Sequence, residues 1–128
     1  MSEVRELTDR TWEKSVEKAT DPVVILFYSP TCSHCRTMMP YFEAYAEELE
    51  GTVAFVRIDI TANPWTAQRY GIMSTPTFAI FCSGRSVAQI VGAVYPTLVK
   101  KMIEDGIRNA KECAGSSTVI DYEITGYG

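Results

Sequence analysis

The sequence has few of the features that mark nucleic-acid-binding, membrane or disulfide-stapled proteins. Its 16 acidic side chains outnumber 12 basic ones, and a net charge of -4 argues against a nucleic-acid-binding role, which needs clustered Lys and Arg. Its longest apolar run, Val23–Tyr28, is of strand length, whereas a membrane helix needs about 18 apolar residues. Its four cysteines are fewer than a small secreted scaffold usually has. We therefore expect neither nucleic-acid nor membrane partners.

The amino terminus also lacks the pattern of a secretory signal. Charged residues occur throughout MSEVRELTDRTWEKSVEK, so no apolar stretch follows the start. We therefore predict a cytoplasmic location. The 128 residues, 46% hydrophobic and 22% charged, suit one globular domain. We predict a monomer whose single domain covers residues 1–112. The tail, residues 113–128, is either a frayed end or an added strand at 118–125.

Hydrophobic periodicity predicts alternating strands and helices. A weak strand precedes a helix that Thr8 or Asp9 could cap. Val23–Tyr28 is apolar on both faces, as in a buried central strand. Pro40 lies inside the next helix, and a Ser83-Gly84 turn joins the last two strands. The order predicts an α/β fold, with a central mixed sheet of four to five strands flanked by about four helices. The predicted helices are 8–19, 33–49, 65–70 and 96–111, and the remaining strands are 52–60, Thr77–Cys82 and 87–91.

The most informative motif is a C-x-x-C pair between the central strand and the long helix. Cys32 and Cys35 could close a small disulfide there, and the amino end of the helix would stabilise a thiolate on Cys32. We predict that Cys32 is the nucleophile and that Cys35 resolves the mixed disulfide it forms. His34, the only histidine, lies between the thiols. In its cationic form it would stabilise the Cys32 thiolate, so it is the third candidate catalytic residue.

The cysteine pair could instead be half of a zinc site, or it could hold a metal between two chains. The sequence has no second cysteine pair and no second histidine to complete such a site. We therefore expect no metal, and no cofactor beyond the redox-active disulfide itself. Cys82 ends an apolar strand and is predicted to be a buried core thiol. Cys113 follows the last helix and is predicted to be a free thiol without a catalytic part.

From Val23 to about residue 111 the chain resembles the thioredoxin family. FYSPTCSHC is similar to the family's active-site turn, in the form found in protein disulfide isomerase domains. Pro40 matches the proline of the active-site helix, and the STPT segment at residues 74–77 matches the cis-proline loop. Further matches are Asn63-Pro64, RYGI at residues 69–72, Gly84 and Gly92. The resemblance implies a thioredoxin fold and a thiol–disulfide oxidoreductase that acts on protein disulfides.

The resemblance also implies which residues meet a substrate. Pro76 would follow a cis peptide bond beside the sulfurs, and Thr75 would offer main-chain groups to an extended substrate strand. Ile72 and Met73 would line the same groove. The implied partners are proteins that contain disulfides and a thioredoxin-reductase-like electron donor. The implied substrate-binding residues are Thr31, Ser33, Ser74, Thr75, Pro76, Gly92 and Ala93.

Two departures from the family pattern bear on function. Thr31 stands where the family usually has tryptophan, and Leu26 stands where it has a buried acid that accepts the second thiol's proton. Arg57 matches the lysine that faces this acid, so we expect Arg57 to turn outward or to pair with another carboxylate. Water, His34 or another base would then deprotonate Cys35. Because of these two departures we retain an alternative function, that of a redox sensor or binding module with slow turnover.

Overall fold

One mixed sheet organises the computed structural model, which describes residues 4–19, 21–51, 53–92, 95–109 and 120–121. Within these residues the strand order is β1-β3-β2-β4-β5-β6. β1, β3 and β2 are mutually parallel, β4 is antiparallel to β2 and β5, and β6 is parallel to β5. The strands are β1 (Val4–Leu7), β2 (Val23–Tyr28), β3 (Ala54–Asp59), β4 (Thr77–Cys82), β5 (Arg85–Val91) and β6 (Ile120–Asp121).

The helices cover both faces of this sheet, which confirms the predicted thioredoxin fold. A π-helical turn (Glu13–Glu17) precedes β2, and α1 (Ser33–Glu48) follows it directly. α2 (Pro64–Arg69) lies between β3 and β4, and α3 (Pro96–Asn109) follows β5. Pro40 lies within α1, as predicted. Among the described residues, no helix is long and apolar enough to cross a membrane.

β2 is central because its side chains alternate between two apolar clusters. Val24 and Leu26 pack on the face covered by α1 and α3, together with Phe42 of α1. Ile25 and Phe27 pack on the opposite face. Successive residues of a strand point to opposite faces, so a strand apolar at every position must be covered on both sides. The turn that carries Cys32 therefore follows a strand that is buried at all but its last residue.

The first helix is shorter than predicted and of a different type. The amide of Lys18 donates to the carbonyl of Glu13, five residues earlier, which is a π-helical bond. Asp9, a predicted cap of this helix, instead accepts the amides of Trp65 and Thr66 at 3.3 and 2.9 Å. It thus satisfies free amides in the first turn of α2. Asp9 therefore has a tertiary partner in place of a local one, whereas Oγ1 of Thr8, the other predicted cap, accepts the amide of Thr11 at 3.3 Å.

The carboxyl-terminal part of the sheet extends beyond the prediction. The Ser83-Gly84 turn forms the expected antiparallel hairpin, with positive φ angles of 53° and 83°. Five strands have four residues or more, and the two-residue β6 adds a parallel partner at Ala88 and Gln89. β6 falls within the strand that the sequence offered as one alternative for the tail. The predicted domain boundary at residue 112 lies outside the described residues.

Cys82 differs from its prediction in one respect. Its side chain is buried at the end of β4, as expected. It is disulfide-bonded, however, and the prediction of a core thiol was therefore wrong. Burial alone, which an apolar strand predicts, does not distinguish a thiol from a disulfide, since both are apolar groups of similar size. The prediction for Cys113 lies outside the described residues.

Candidate redox site

The two active-site cysteines lie where β2 ends and α1 begins. Cys32 occupies the N-cap position, with extended backbone angles, and its Sγ accepts the amide of Cys35 at 3.2 Å. The amide of Cys32 donates to the carbonyl of Ser29 at 3.1 Å, which closes the preceding turn. A sulfur at this position faces the free amides of the helix, where a negative charge is favoured. Both cysteines are free thiols.

The surroundings of Cys32 favour its thiolate. Partial burial by itself raises the pKa of Cys32, but hydrogen bonds to the sulfur outweigh it. These come from the Cys35 thiol, from the Thr75 side chain and from the main-chain N–H groups of Cys35 and His34, and together they lower the pKa. Cys32 is also the more accessible thiol, since its side chain is half-buried. An accessible thiolate is the form that attacks a disulfide.

Cys35 has the opposite properties. Its side chain is 1% exposed, one turn into α1. Burial, followed by the hydrogen bond to Cys32, raises the pKa of Cys35 to about 11. Cys35 therefore keeps its proton at neutral pH, and that proton must leave before the thiol attacks a disulfide.

This difference predicts how the two thiols react with iodoacetamide. Cys32 should be alkylated with a pH midpoint below that of an ordinary cysteine, because the folded protein stabilises its thiolate. Cys35 should remain unmodified until the pH approaches about 11. Peptide mass spectrometry of the reduced protein across a pH series measures both midpoints. Denatured protein is the control, in which the two thiols should label alike. Equal alkylation of the two thiols in the folded protein would contradict the lowered pKa of Cys32 and the raised pKa of Cys35.

The Thr75-Pro76 loop lies directly against Cys32. The Thr75–Pro76 peptide bond is cis, as the resemblance implies, and the carbonyl oxygen of Thr75 lies 3.5 Å from Cys32 Sγ. Thr77 Oγ1 donates to the carbonyl of Ser74 at 2.8 Å, and the amide of Gly92 donates to the carbonyl of Pro76 at 2.8 Å. The fold thus brings Ser74, Thr75, Pro76 and Gly92 together. Ala93 lies outside the described residues.

The remaining predicted site residues surround the thiols on the surface. The side chains of Thr31, Ser33 and His34 are exposed. The Thr31 hydroxyl lies 3.1 Å from that of Ser29, within the turn. The main-chain N–H of His34 contributes to the stabilisation of Cys32, whereas the role of its imidazole stays a prediction. In the loop before Pro76, Ile72 is buried and Met73 is 91% exposed, so Met73 is the one accessible to a partner.

Arg57 has the carboxylate partner that the sequence left unidentified. Arg57 Nε donates to Glu6 Oε1 at 2.7 Å, and Nη1 lies 3.4 Å from Met39 Sδ. Tyr28 Oη donates to Glu6 Oε2 at 2.7 Å, so one carboxylate binds both side chains. Leu26 is the direct neighbour of Arg57 between β2 and β3 and is fully buried. The sequence did not single out Glu6 or Tyr28, because the weak first strand gave no register to pair Glu6 with Arg57.

A cavity of about 300 Å³ connects this cluster with the second thiol. Cys35 and Arg36 of α1 line one side of it, and Tyr28 and Arg57 of the sheet line another. The cavity also contacts Ser29, Pro30, Met39 and Pro40. Across the described ranges, no group of three or more His, Cys, Asp or Glu side chains is placed to hold a metal ion.

Comparison with known proteins agrees with this geometry. Residues 3–105 match the family model for thioredoxin. Thioredoxin 1 of Nostoc sp. is 36% identical over 81% of this chain and 97% of its own length. The thioredoxin of Porphyra purpurea is 40% identical over 71% of this chain and 85% of its own. Thioredoxin M4, chloroplastic, of Arabidopsis thaliana is 37% identical over 80% of this chain and 53% of its own. The chain therefore belongs to the thioredoxin family and is a protein-disulfide oxidoreductase.

Proposed function

We propose that the protein reduces disulfides in other proteins through Cys32 and Cys35. The Cys32 thiolate attacks one sulfur of the substrate disulfide, forming a mixed disulfide and releasing the other sulfur as a thiolate. Cys35 then loses its proton and attacks Cys32 Sγ, and the second substrate sulfur leaves. Two electrons pass to the substrate, and the protein ends as the Cys32–Cys35 disulfide. The reaction requires no cofactor, because the sulfurs carry the electrons.

The contrast between the two thiols carries this proposal. Cys32 is accessible, accepts the Cys35 amide and has a lowered pKa, which suits a nucleophile. Cys35 is buried and stays protonated, which prevents it from competing for the substrate. The alternative order, with Cys35 attacking first, would require substrate access to a side chain that is 1% exposed.

We also propose that an extended substrate segment lies along the Thr75-Pro76 loop. Thr75 is half-exposed and its carbonyl lies beside Cys32, so this carbonyl could accept a substrate amide as in strand addition. Thr31, Ser33 and Ser74 are exposed around the thiols, and Gly92 is tied to Pro76 on the other side. Exposed Met73 would supply an adaptable apolar contact. Ala93 is included in the proposed groove only because the resemblance to the thioredoxin family implies it.

Reduction of insulin by dithiothreitol tests the proposed function. The protein should accelerate precipitation of the insulin B chain, and Cys32→Ser should abolish that acceleration because serine forms no disulfide. His34→Ala tests the proposed role of the imidazole. We expect the reduction potential of the Cys32–Cys35 pair to become more negative, because the cation that would stabilise the Cys32 thiolate is lost. No acceleration by the unaltered protein over dithiothreitol alone would contradict a general reductase.

Leu26 favours a second candidate function, a redox sensor or binding module with slow turnover. Leu26 places no carboxylate beneath the thiols, so proton removal from Cys35 lacks the nearest possible acceptor. A sensor would show a reversible Cys32–Cys35 transition in redox buffers without accelerating insulin reduction. An enzyme would show the reversible transition and would also accelerate insulin reduction. The two measurements on one preparation therefore separate the two functions.

We further propose a thioredoxin-reductase-like protein as electron donor, a monomeric state and a cytoplasmic location. The donor follows from the reaction, since each turnover leaves an oxidised pair that must be reduced again. The relatives named above include one chloroplast protein, so their names do not decide the location. Sedimentation gives the oligomeric state, and immunolocalisation in the source cells gives the compartment.

A further inference from the structure

We infer that Glu6 receives the proton of Cys35 during the resolving step, through the hydroxyl of Tyr28 and water in the cavity beneath α1. This inference rests on the proposed roles of Cys32 and Cys35. It assigns the proton acceptor that Leu26 does not supply. Glu6 does not touch the thiol, so it acts as a positioning residue for the proton path and not as a catalytic residue.

The first observation is a cavity that Cys35 shares with Tyr28 and Arg57, the two side chains that bind Glu6. Cys35, Tyr28 and Arg57 all line the same space of about 300 Å³. A water occupies about 30 Å³ of liquid volume, so the cavity has room for several. Most of its lining is apolar, and Cys35, Tyr28 and Arg57 are the lining residues we assign as hydrogen-bond partners for that water.

The second observation is the direction of the hydrogen bond from Tyr28, a residue that lines the cavity, to Glu6. Tyr28 Oη donates to Glu6 Oε2 at 2.7 Å, so the oxygen of Tyr28 still has lone pairs to accept a proton from water. A proton that arrives at Tyr28 can be matched by the transfer of its own proton to Glu6. Burial and the bond to Glu6 raise the pKa of Tyr28 to about 12, so its hydroxyl remains protonated at neutral pH.

The third observation is that Arg57 fixes the carboxylate in place. Its Nε holds Glu6 Oε1 at 2.7 Å, and its guanidinium carbon lies 5.4 Å from the centre of the Tyr28 ring. Glu6 and Arg57 are direct neighbours between β1 and β3, so the sheet itself sets their spacing. Glu6 is half-exposed, and it can pass the proton on to solvent after the step.

The Cys35 thiol gives its proton to water as its sulfur attacks Cys32 Sγ. Water protonates Tyr28 Oη while Tyr28 gives its proton to Glu6, so the relay ends with a neutral carboxylic acid. The Cys32–Cys35 bond forms, the bond from Cys32 to the substrate sulfur breaks, and that sulfur leaves as a thiolate.

The test isolates the resolving step with dithiobis(nitrobenzoate), an aromatic disulfide. Attack by Cys32 releases one coloured thionitrobenzoate, and attack by Cys35 on the mixed disulfide releases the second. Stopped-flow absorbance on equimolar reduced protein and reagent gives a rate for each phase. Glu6→Gln should slow the second phase by at least about tenfold, because general-base assistance is typically ~10²–10⁴-fold. The first phase should be unchanged.

Two further variants separate the relay from a structural role. Tyr28→Phe retains both Glu6 and Arg57 but removes the relay, and it should slow the second phase as Glu6→Gln does. Glu6→Asp keeps a carboxylate and should restore part of the rate. Glu13→Gln is the matched control, since Glu13 also pairs with a cation but lies on the opposite side of the sheet from α1. It should leave both phases unchanged.

The pH profile gives a readout that a structural role would not change. With an internal acceptor, the second-phase rate should vary little between about pH 6 and 8. In Glu6→Gln the internal carboxylate is absent and solvent hydroxide becomes the main base, so the rate should rise with pH, by up to about tenfold per pH unit. The other ionisable groups around the path, Arg36, Arg57, Asp59, Cys32 and His34, are the same in both proteins and shift both profiles equally.

The outcomes distinguish this inference from the proposed function. If the unaltered protein shows no second phase, Cys35 does not resolve and the proposed function is wrong. If the second phase is present and Glu6→Gln and Tyr28→Phe leave its rate and pH profile unchanged, only the proton path is overturned. A slow second phase with a wild-type pH profile also overturns it, because the change would then be structural.

Discussion

Replacing Cys35 by serine should stop the protein at the mixed disulfide. In Cys35→Ser the Cys32 sulfur still accepts a hydrogen bond from the amide of residue 35, because that donor belongs to the main chain. The serine hydroxyl also replaces the thiol as a hydrogen-bond donor to the sulfur. Cys32 should therefore still attack, whereas the second sulfur needed to release the substrate is absent. Turnover should fall to the uncatalysed level while a covalent protein–substrate adduct accumulates.

The measurement is a single turnover with the reductant removed, because dithiothreitol would itself resolve the adduct. Non-reducing electrophoresis and mass spectrometry should show the adduct with Cys35→Ser and none with the Cys32→Ser, Cys35→Ser double variant. Cys35→Ala is an informative third protein. It lacks the side-chain donor that helps to lower the pKa of Cys32, so its adduct should form more slowly at neutral pH. An adduct that persists in the double variant would show that another cysteine reacts.

Replacing Trp12 by alanine should cost the largest amount of stability of any change considered. Trp12 is fully buried, and its ring contacts those of Phe27, Tyr70 and Phe81 with centroids 5.3–5.9 Å away. Its indole N–H also donates to Tyr70 Oη at 3.0 Å. Removal of a buried tryptophan typically costs about 3–5 kcal/mol, from lost burial and the cavity that remains. We expect the free energy of unfolding to fall by that amount.

Urea denaturation followed by circular dichroism measures this loss. Trp65→Ala is the matched control, because Trp65 is 55% exposed and contacts the Arg69 guanidinium at 5.3 Å. An exposed cation–π contact is worth about 0.5–1 kcal/mol, so the control should change the unfolding free energy by no more than that. Equal losses in both variants would contradict the assigned burial of Trp12.

Local patterns predicted the parts of the site that are close in sequence. The boundaries of β2 and β4 agree with the apolar runs Val23–Tyr28 and Thr77–Cys82. α1 begins at Ser33, immediately after Cys32, so the helix-cap position of Cys32 follows from the pattern alone. These features were predictable because strand burial and helix initiation depend on residues only a few positions apart.

Contacts between residues that are distant in sequence were harder to predict. Asp9 was a reasonable cap for its own helix, yet it binds the amides of α2, which lie more than fifty positions away. Of the two alternatives predicted for Arg57, pairing with another carboxylate is confirmed. The sequence did not identify Glu6 as that carboxylate. Glu6 belongs to a short edge strand, and only the parallel pairing with β3 brings it opposite Arg57.

The sequence by itself determined the fold class and the position of the Cys32–Cys35 pair, because each depends on local spacing and burial pattern. Tertiary structure decided what surrounds that pair. It placed the Thr75 carbonyl beside Cys32, joined Cys82 in a disulfide, and connected Cys35 to Tyr28 and Arg57 through one cavity. Strand register and helix packing set these distances, and no single segment encodes them, because each requires two or more elements to meet.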